Sequence, residues 1–389
     1  MRQYGDNYKR CRASPAAGGF LKILSCISGT SCDGISWALA EVGKSAGRMK
    51  FSVIGSGNAP YSRKLNSALL RVTNSGRATM AELCDLHWSI GRRLADIGKQ
   101  LKTAPQVAVF SGHTVYHTEQ VGRTGAGTFQ IGAVEPLSVE LGIPVMGDLR
   151  STDVAAGGMG APLVPAGDEL MFGRGSAVLN VGGIANLTLL GETTTGFDTG
   201  PGNMLIDEAA RTLFGRRMDS GGKIAMSGTV DEKLLSAMMK DPFVDAAPPK
   251  SCGRERYGSA FFARMLRRAE GRGIAKRDIV TTFSEFTVRS VLRNLELHAP
   301  GYSRLVCAGG GSFNGYLMKR FGELFEGSVH TSDEFGVPRD SRESLAFALI
   351  CYLSLSLKAG NTDATGAKRK LPLGRVTANG FGRELLRSL

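Results

Sequence analysis

Cysteine at metal-ligand spacing is missing from this sequence. Its seven cysteines, at 11, 26, 32, 84, 252, 307 and 351, form no C-x-x-C pair and are odd in number. That excludes a zinc ribbon and a disulfide framework, and reads as reduced thiols in a cytosol. Aromatics are scarce, with 2 Trp, 8 Tyr and 18 Phe, and they do not interleave with basic residues as a surface for stacked bases would. No apolar run reaches the roughly 18 residues that span a bilayer; the best, from Leu345 to Leu357, is broken by Ser and Tyr, which argues against a membrane protein. Acidic residues are short, 35 Asp and Glu against 48 Lys and Arg, for a net charge of +13. Such a balance attracts polyanions, yet Arg216-Arg217, Arg267-Arg268 and Lys368-Arg369-Lys370 are short and scattered. They read as solvated faces plus a nucleotide-phosphate site, with nucleic acid disfavoured as a partner. A Walker A loop, G-x-x-x-x-G-K-[ST], does not occur.

What remains is a chain of 389 residues, 42% hydrophobic and 21% charged, long enough for a large core and two lobes. Residues 1–20 are polar and basic without an apolar stretch, so they read as a disordered extension and not a secretory signal. Glycine is abundant, at 52 residues, and it clusters between apolar runs, where bare backbone can approach a ligand. Two clusters are alike. Leu21 to Ile27 runs into Ser28-Gly-Thr-Ser-Cys-Asp-Gly34 and leaves through alternating Ile35, Trp37 and Leu39; Ala177 to Val181 runs into Gly182-Gly183 and leaves through Leu187 to Leu190. Each reads as strand, glycine turn, strand, half a chain apart, which predicts a duplicated α/β lobe. Between them Thr79 and Glu82 form a capping box before a stripe of Leu83, Leu86, His87, Ile90, Leu94, Ile97 and Leu101. Amphipathic runs predict further helices at 205–213, 261–266, 287–295, 317–325 and 343–357.

Three stretches carry chemistry. The turn Ser28 to Gly34 can aim backbone N–H groups at a polyphosphate, and Asp33 inside an anion-binding turn suggests a Mg²⁺ held through water; an ordinary Asp-Gly hairpin is the bland alternative. Asp198 ends a strand before Gly200-Pro201-Gly202-Asn203 and a helix, the setting for a rigidly held catalytic carboxylate, against which a turn-capping Asp must be weighed. Cys307-Ala308-Gly309-Gly310-Gly311-Ser312-Phe313-Asn314 leaves room for a flat ring on bare backbone.

Taken in order, these stretches resemble the anhydro-N-acetylmuramic acid kinase family, of the sugar kinase, heat-shock ATPase and actin superfamily. The matching residues are Ser28 to Ser31, Asp33-Gly34-Ile35, Thr114 to His117, Gln130 to Gly132, Asp148 with Arg150 and Asp153, Ala155 to Gly158 with Gly160 to Leu163, Asn180 to Asn186, Phe197 to Asn203, Pro249 to Ser251 with Gly253 to Glu255, Gly309 to Gly311 with Asn314, Glu343, and Thr365 to Ala367. They span Leu21 to Arg375, nearly the whole chain. The resemblance implies a two-lobed actin-like, ribonuclease H-like α/β fold with an ATP cleft between duplicated lobes, the first formed by 21–143 plus 355–389 and the second by 144–354. It implies ATP-dependent, Mg²⁺-dependent cleavage of a 1,6-anhydro ring with phosphorylation of O6, in the cytoplasm, by a homodimer. By carry-over, Asp198 is the base that activates water. Gly29, Thr30, Ser31, Cys32, Asp33, Gly34, Ile35 and Ser36 cradle ATP phosphates, with Asp33 near the metal. Asn180, Gly182, Gly183, Gly200, Gly202, Asn203, Gly309, Gly310, Gly311 and Asn314 complete the nucleotide site, and His113, Arg150 and Glu343 lie toward the sugar.

This chain departs from the family pattern at Ser111 and His113, where the family reads His and Gln, and at Ser36, Leu149 and Cys252. Those changes bear more on substrate identity than on reaction type, so a levoglucosan kinase is the alternative within enzymes. A non-catalytic nucleotide- or sugar-binding regulator on the same fold is the alternative outside them. Retention of Asp198 separates the two classes, because a protein without turnover has no chemical use for that carboxylate.

Overall fold

The computed structural model describes residues 19–29, 32–118 and 126–379. The extension expected at 1–20 therefore lies, but for its last two residues, outside the described residues. The strands are β1 (Leu21–Ser28), β2 (Gly34–Ser45), β3 (Arg48–Pro60), β4 (Val107–Thr118), β5 (Gly127–Ile131), β6 (Val145–Gly147), β7 (Ser176–Val181), β8 (Ile184–Leu190), β9 (Thr194–Pro201), β10 (Arg304–Ala308), β11 (Ser328–Thr331) and β12 (Arg375–Val376). The chain divides into two compact units, one running to Met171 and resuming at Glu343, the other Phe172–Arg342.

In the first unit the strand order is β12-β6-β4-β1-β2-β3, with β5 paired to β4. Strands β1, β2 and β3 form an antiparallel meander, and β4 and β6 add in parallel on the other side of β1. Central β1 is buried on both faces along almost its whole length, including Ser25 and Ser28. The second unit repeats this plan: order β11-β10-β7-β8-β9, an antiparallel β7-β8-β9 meander, and β10 and β11 parallel to β7. The same order and the same strand directions occur twice, which is the duplication the two glycine hairpins predict, and each unit is a ribonuclease H-like α/β layer.

Helices lie where periodicity places them. Thr79 Oγ1 accepts the Glu82 N–H at 3.2 Å and opens Met80–Gln100, which buries Leu86, Ile90, Leu94 and Ile97. His87, on the rim of that stripe, accepts the Gly132 N–H at Nδ1. The other predicted segments fall inside Asn203–Phe214, Ser259–Glu270 and Lys276–His298 or overlap Gly315–Leu324 and Arg342–Leu355. Phe261, Phe283, Phe286 and Tyr257 fill the core of the second unit, and Leu24, Ile35, Leu69, Ile90 and Phe110 that of the first. Among the described residues no helix is long and apolar enough to cross a membrane.

The boundaries expected at 143/144 and 354/355 need correcting to 171/172 and 342/343. Strand β6 follows Pro144 but pairs with β4 and β12, so 144–171 stay with the first sheet. The helix beginning at 342 packs there too: a Cβ on Gly167 would lie 2.5 Å from Ala346.

Candidate active site

In the first unit, β1 ends at Ser28 and the chain turns through Gly29 into β2. Cys32 donates its N–H to Gly29 O at 3.1 Å and adopts φ +55°, a left-handed backbone unusual for a residue with a Cβ. Asn66 Nδ2 donates to Cys32 O at 2.7 Å, and Tyr61 N–H donates to Asp33 O at 3.0 Å. The turn is held from below. Gly29 and Asp33 are exposed, Gly34 and Ile35 are buried at the start of β2, and Ser36 is half-buried opposite Asn58. Thr30 and Ser31 lie outside the described residues.

His113, expected toward the sugar, lies inside the first unit. It is fully buried on β4, with Nδ1 2.8 Å from Ser28 Oγ and Nε2 facing Thr73 and Cys32, so it lies against the turn between β1 and β2. Burial pushes its pKa down to about 4, so the ring is neutral at physiological pH. Arg150 and Glu343 do come together: the Glu343 charge favours the Arg150 guanidinium against the burial that lowers its pKa, and Arg150 Nη1 donates to Gly160 O at 2.7 Å. Arg150 Nε is buried, with no hydrogen-bond partner among the described residues. Neighbouring Asp153, fully buried, accepts from Gly160 N–H, Asn361 Nδ2 and Thr365 Oγ1 at 2.7–2.8 Å, which ties the matched Gly160 and Thr365 stretches to one carboxylate.

The second unit gathers its glycine turns at the carboxyl ends of β7, β9 and β10, the edge where open α/β sheets bind ligands. Asn203 N–H donates to Gly182 O at 2.8 Å and Gly202 N–H to Gly183 O at 2.9 Å, so the β7-β8 turn and the turn after β9 are laced together. Thr287 Oγ1, from the buried helix behind, donates to Pro201 O and Gly202 O at 3.0 Å. Gly309, at φ +80°, approaches so closely that a Cβ there would lie 2.5 Å from Asn180 Oδ1. Asn180, Gly182, Gly183, Gly202, Asn203, Gly309, Gly310 and Gly311 thus share one place, with Gly200 (φ +145°) against Ser290 beneath. Asn314 is buried and spends its side-chain oxygen capping Gly315–Leu324, through the Tyr316 and Leu317 N–H groups. Its place is in holding the helix behind the glycine turn.

Asp198 stands on β9 across from Asn186, in the same layer. Its backbone N–H donates to Lys250 O at 3.1 Å, and its Oδ2 accepts the Cys252 N–H at 2.9 Å. Among the described residues Oδ1 takes no hydrogen bond. The Lys250–Cys252 segment is itself pinned: Lys250 Nζ donates to Phe243 O and Val244 O at 2.9 and 3.2 Å and lies 4.8 Å over the Phe243 ring. Burial pushes the Asp198 pKa up to about 6; the Cys252 N–H and Lys250 charge pull it down, and the Glu255 charge pushes it up. A carboxylate that is rigid, short of one partner and tuned toward neutrality is suited to taking a proton. Sequence reasoning singles out Asp198 as a candidate but not the strap that orients it, since nothing in Lys-Ser-Cys-Gly-Arg-Glu points to that strand.

No group of three or more His, Cys, Asp and Glu able to hold a metal ion occurs among the described residues. A single exposed carboxylate, Asp33, fits a Mg²⁺ that takes most of its ligands from water and phosphate.

Two ribonuclease H-like units, each with a glycine hairpin opening its sheet, and a tuned carboxylate beside the second, define a kinase-type α/β protein. The family model described as anhydro-N-acetylmuramic acid kinase matches residues 21–379. Proteins named anhydro-N-acetylmuramic acid kinase are 37% identical over 371 residues in Gloeobacter violaceus, covering 91% of this chain and 97% of that one, and 32% identical over 378 residues in Bacillus cereus strain G9842, covering 91% and 98%. One from a Cyanothece strain is 33% identical over 376 residues, covering 92% and 99%. Among solved structures, a xylulose kinase from Lactobacillus acidophilus superposes with a TM-score of 0.46 at 9% identity, covering 94% of this chain and 95% of that one. The chain belongs to the anhydro-N-acetylmuramic acid kinase family.

Proposed function

We propose that this protein is an ATP-dependent kinase of 1,6-anhydro-N-acetylmuramic acid that opens the anhydro ring and phosphorylates O6 to give N-acetylmuramate 6-phosphate. The observation that carries the chemistry is Asp198, held by the Cys252 N–H on one oxygen and leaving the other for water. In this reading water adds to the anomeric carbon as Asp198 Oδ1 takes its proton. The C1–O6 bond breaks with its electron pair on O6, O6 attacks the γ-phosphorus, and ADP leaves with the bridging oxygen. One base suffices, because the group expelled from carbon is the nucleophile toward phosphorus.

The turn from Gly29 to Ser36 is assigned to the ATP phosphates, and the glycine cluster of the second unit to the rest of the nucleotide. Asp33 would hold Mg²⁺ through water, and the ion would neutralise charge on the phosphates. Arg150, whose buried Nε has no partner among the described residues and which has Glu343 beside it, is assigned to the sugar. A cytoplasmic homodimer is the proposed form.

The test is ADP release with MgATP and either 1,6-anhydro-N-acetylmuramic acid or levoglucosan. The muramyl substrate should lead by at least about tenfold in kcat/KM; a tenfold lead for levoglucosan overturns the substrate and leaves the reaction type standing.

A further inference from the structure

The phosphate turn contains a residue whose backbone should not be there unaided. Cys32 carries a Cβ at φ +55°, a conformation that glycine adopts freely and other residues hold only where their surroundings insist. It is buried, and Asp33 follows it directly, so its backbone sets where that carboxylate and the adjoining N–H groups point.

What insists is a chain of hydrogen bonds ending on His113. Gly112, at φ +80°, bends β4 just before it, and the β1-β4 register shifts between Cys26 and Ser28, so that His113 pairs with Ser28 and enters the space under the turn. Tyr61 Oη donates to Ser28 Oγ at 2.8 Å. His113 Nδ1 lies 2.8 Å from Ser28 Oγ, and Nε2 faces Thr73 Oγ1 at 3.4 Å and Cys32 Sγ at 3.7 Å, so one ring spans Ser28 and Cys32. Cys32 is held at its N–H by Gly29, at its carbonyl by Asn66 and at its sulfur by His113.

We infer that His113 is a positioning residue for nucleotide phosphate binding: through its contacts with Ser28 and Cys32 it holds Cys32 in its left-handed backbone. This rests on the reading that the turn from Gly29 to Ser36 cradles the nucleotide. It gives His113 a role at the phosphate turn in place of the sugar contact expected from sequence. A glutamine at this position can accept from Ser28 and donate toward Cys32 with one carboxamide; a leucine can do neither.

The test measures binding of magnesium and a non-hydrolysable ATP analogue by calorimetry, with the sugar KM alongside. His113→Leu should weaken nucleotide binding at least about tenfold while the sugar KM moves less than threefold, and His113→Gln should bind at least fivefold more tightly than His113→Leu. Adding Cys32→Gly to His113→Leu should recover at least fivefold, because glycine needs no help to adopt positive φ. A role in core packing predicts the reverse, since removing the cysteine side chain deepens the void. Should His113→Leu fail to fold, the pair Cys32→Ala and Cys32→Gly decides: both lose the sulfur contact, only alanine keeps the strain, and alanine should bind at least fivefold more weakly. Equal binding in that pair, or no recovery in the folded double variant, overturns the inference. Wild-type protein that binds no nucleotide overturns instead the reading beneath it.

Discussion

Asp198→Asn should disable the protein and stabilise it. In the folded state burial raises this carboxyl from its ordinary 3.8 to about 6, so at neutral pH the fold holds an anion it would hold more easily as a neutral group. At 1.36 kcal/mol per pKa unit the cost is about 3 kcal/mol, and partial solvent access reduces it to about 1–3 kcal/mol. Between pH 3.8 and 6 the folded state binds the proton more strongly than the unfolded chain, so this group's contribution to stability falls as pH rises through that window. Asparagine keeps the shape and can still accept the Cys252 N–H, so the variant should melt at least about 2 °C higher at pH 8 and match wild type near pH 4. It cannot take a proton from water, so turnover should fall at least about 10²-fold while nucleotide binding is preserved. Thermal denaturation at the two pH values, with a coupled ADP assay, measures both effects. Wild-type turnover would refute the base assignment, and an unchanged or lower melting temperature at pH 8 would refute the reasoning from burial.

Other outcomes follow from the same structure. Because Asp198 must be ionised to accept a proton, kcat/KM of the wild type should rise with pH through about 6 and level off above 7; a profile flat from pH 5 to 8 would count against it. Gly309→Ala puts a Cβ 2.5 Å from Asn180 Oδ1 at a positive φ, and should cost about 1–3 kcal/mol of stability and weaken nucleotide binding, as denaturant titration and calorimetry would record. Asp33→Asn should raise the Mg²⁺ concentration needed for half-maximal rate with little change in melting temperature. On the helix Lys276–His298, burial opposes the charge on Glu285, but hydrogen bonds from Arg320, Arg289 and Tyr316 hold its pKa low. Arg320→Leu should therefore destabilise the protein by about 3–5 kcal/mol in urea unfolding.

Much of the fold was legible because local signals and tertiary role coincide. A buried central strand must be apolar on both faces, and β1 and β7 say so directly; a glycine turn between such strands announces a hairpin, and two of them announce a repeat. The boundaries were not legible, because Pro144 looks like a break while strand β6 just beyond it belongs to the first sheet through pairing that no local pattern encodes. Among the candidate residues, Asp198 near the end of β9 and the glycines beyond β7 and β10 stand where the local pattern of apolar run and glycine turn places them. The burial of His113 was not legible, since a histidine among polar neighbours on a strand reads the same whether it faces solvent or the core; Gly112 and the register shift beside Ser28 set its place, and both are tertiary facts. The strap from Lys250 to Cys252 was seen only as a motif, because its target on β9 is fixed by the helix at Pro242–Asp245 that anchors the lysine.

The central claim is that one turnover couples water attack at the anomeric carbon to phosphoryl transfer onto the departing O6. Mass spectrometry of the product formed from 1,6-anhydro-N-acetylmuramic acid and MgATP in ¹⁸O-water, quenched before anomeric exchange, tests it directly. The account predicts one ¹⁸O at C1, an unlabelled phosphate ester on O6 and one ADP per product; label in the phosphate, an intact anhydro ring beside released ADP, or no ADP release would contradict it.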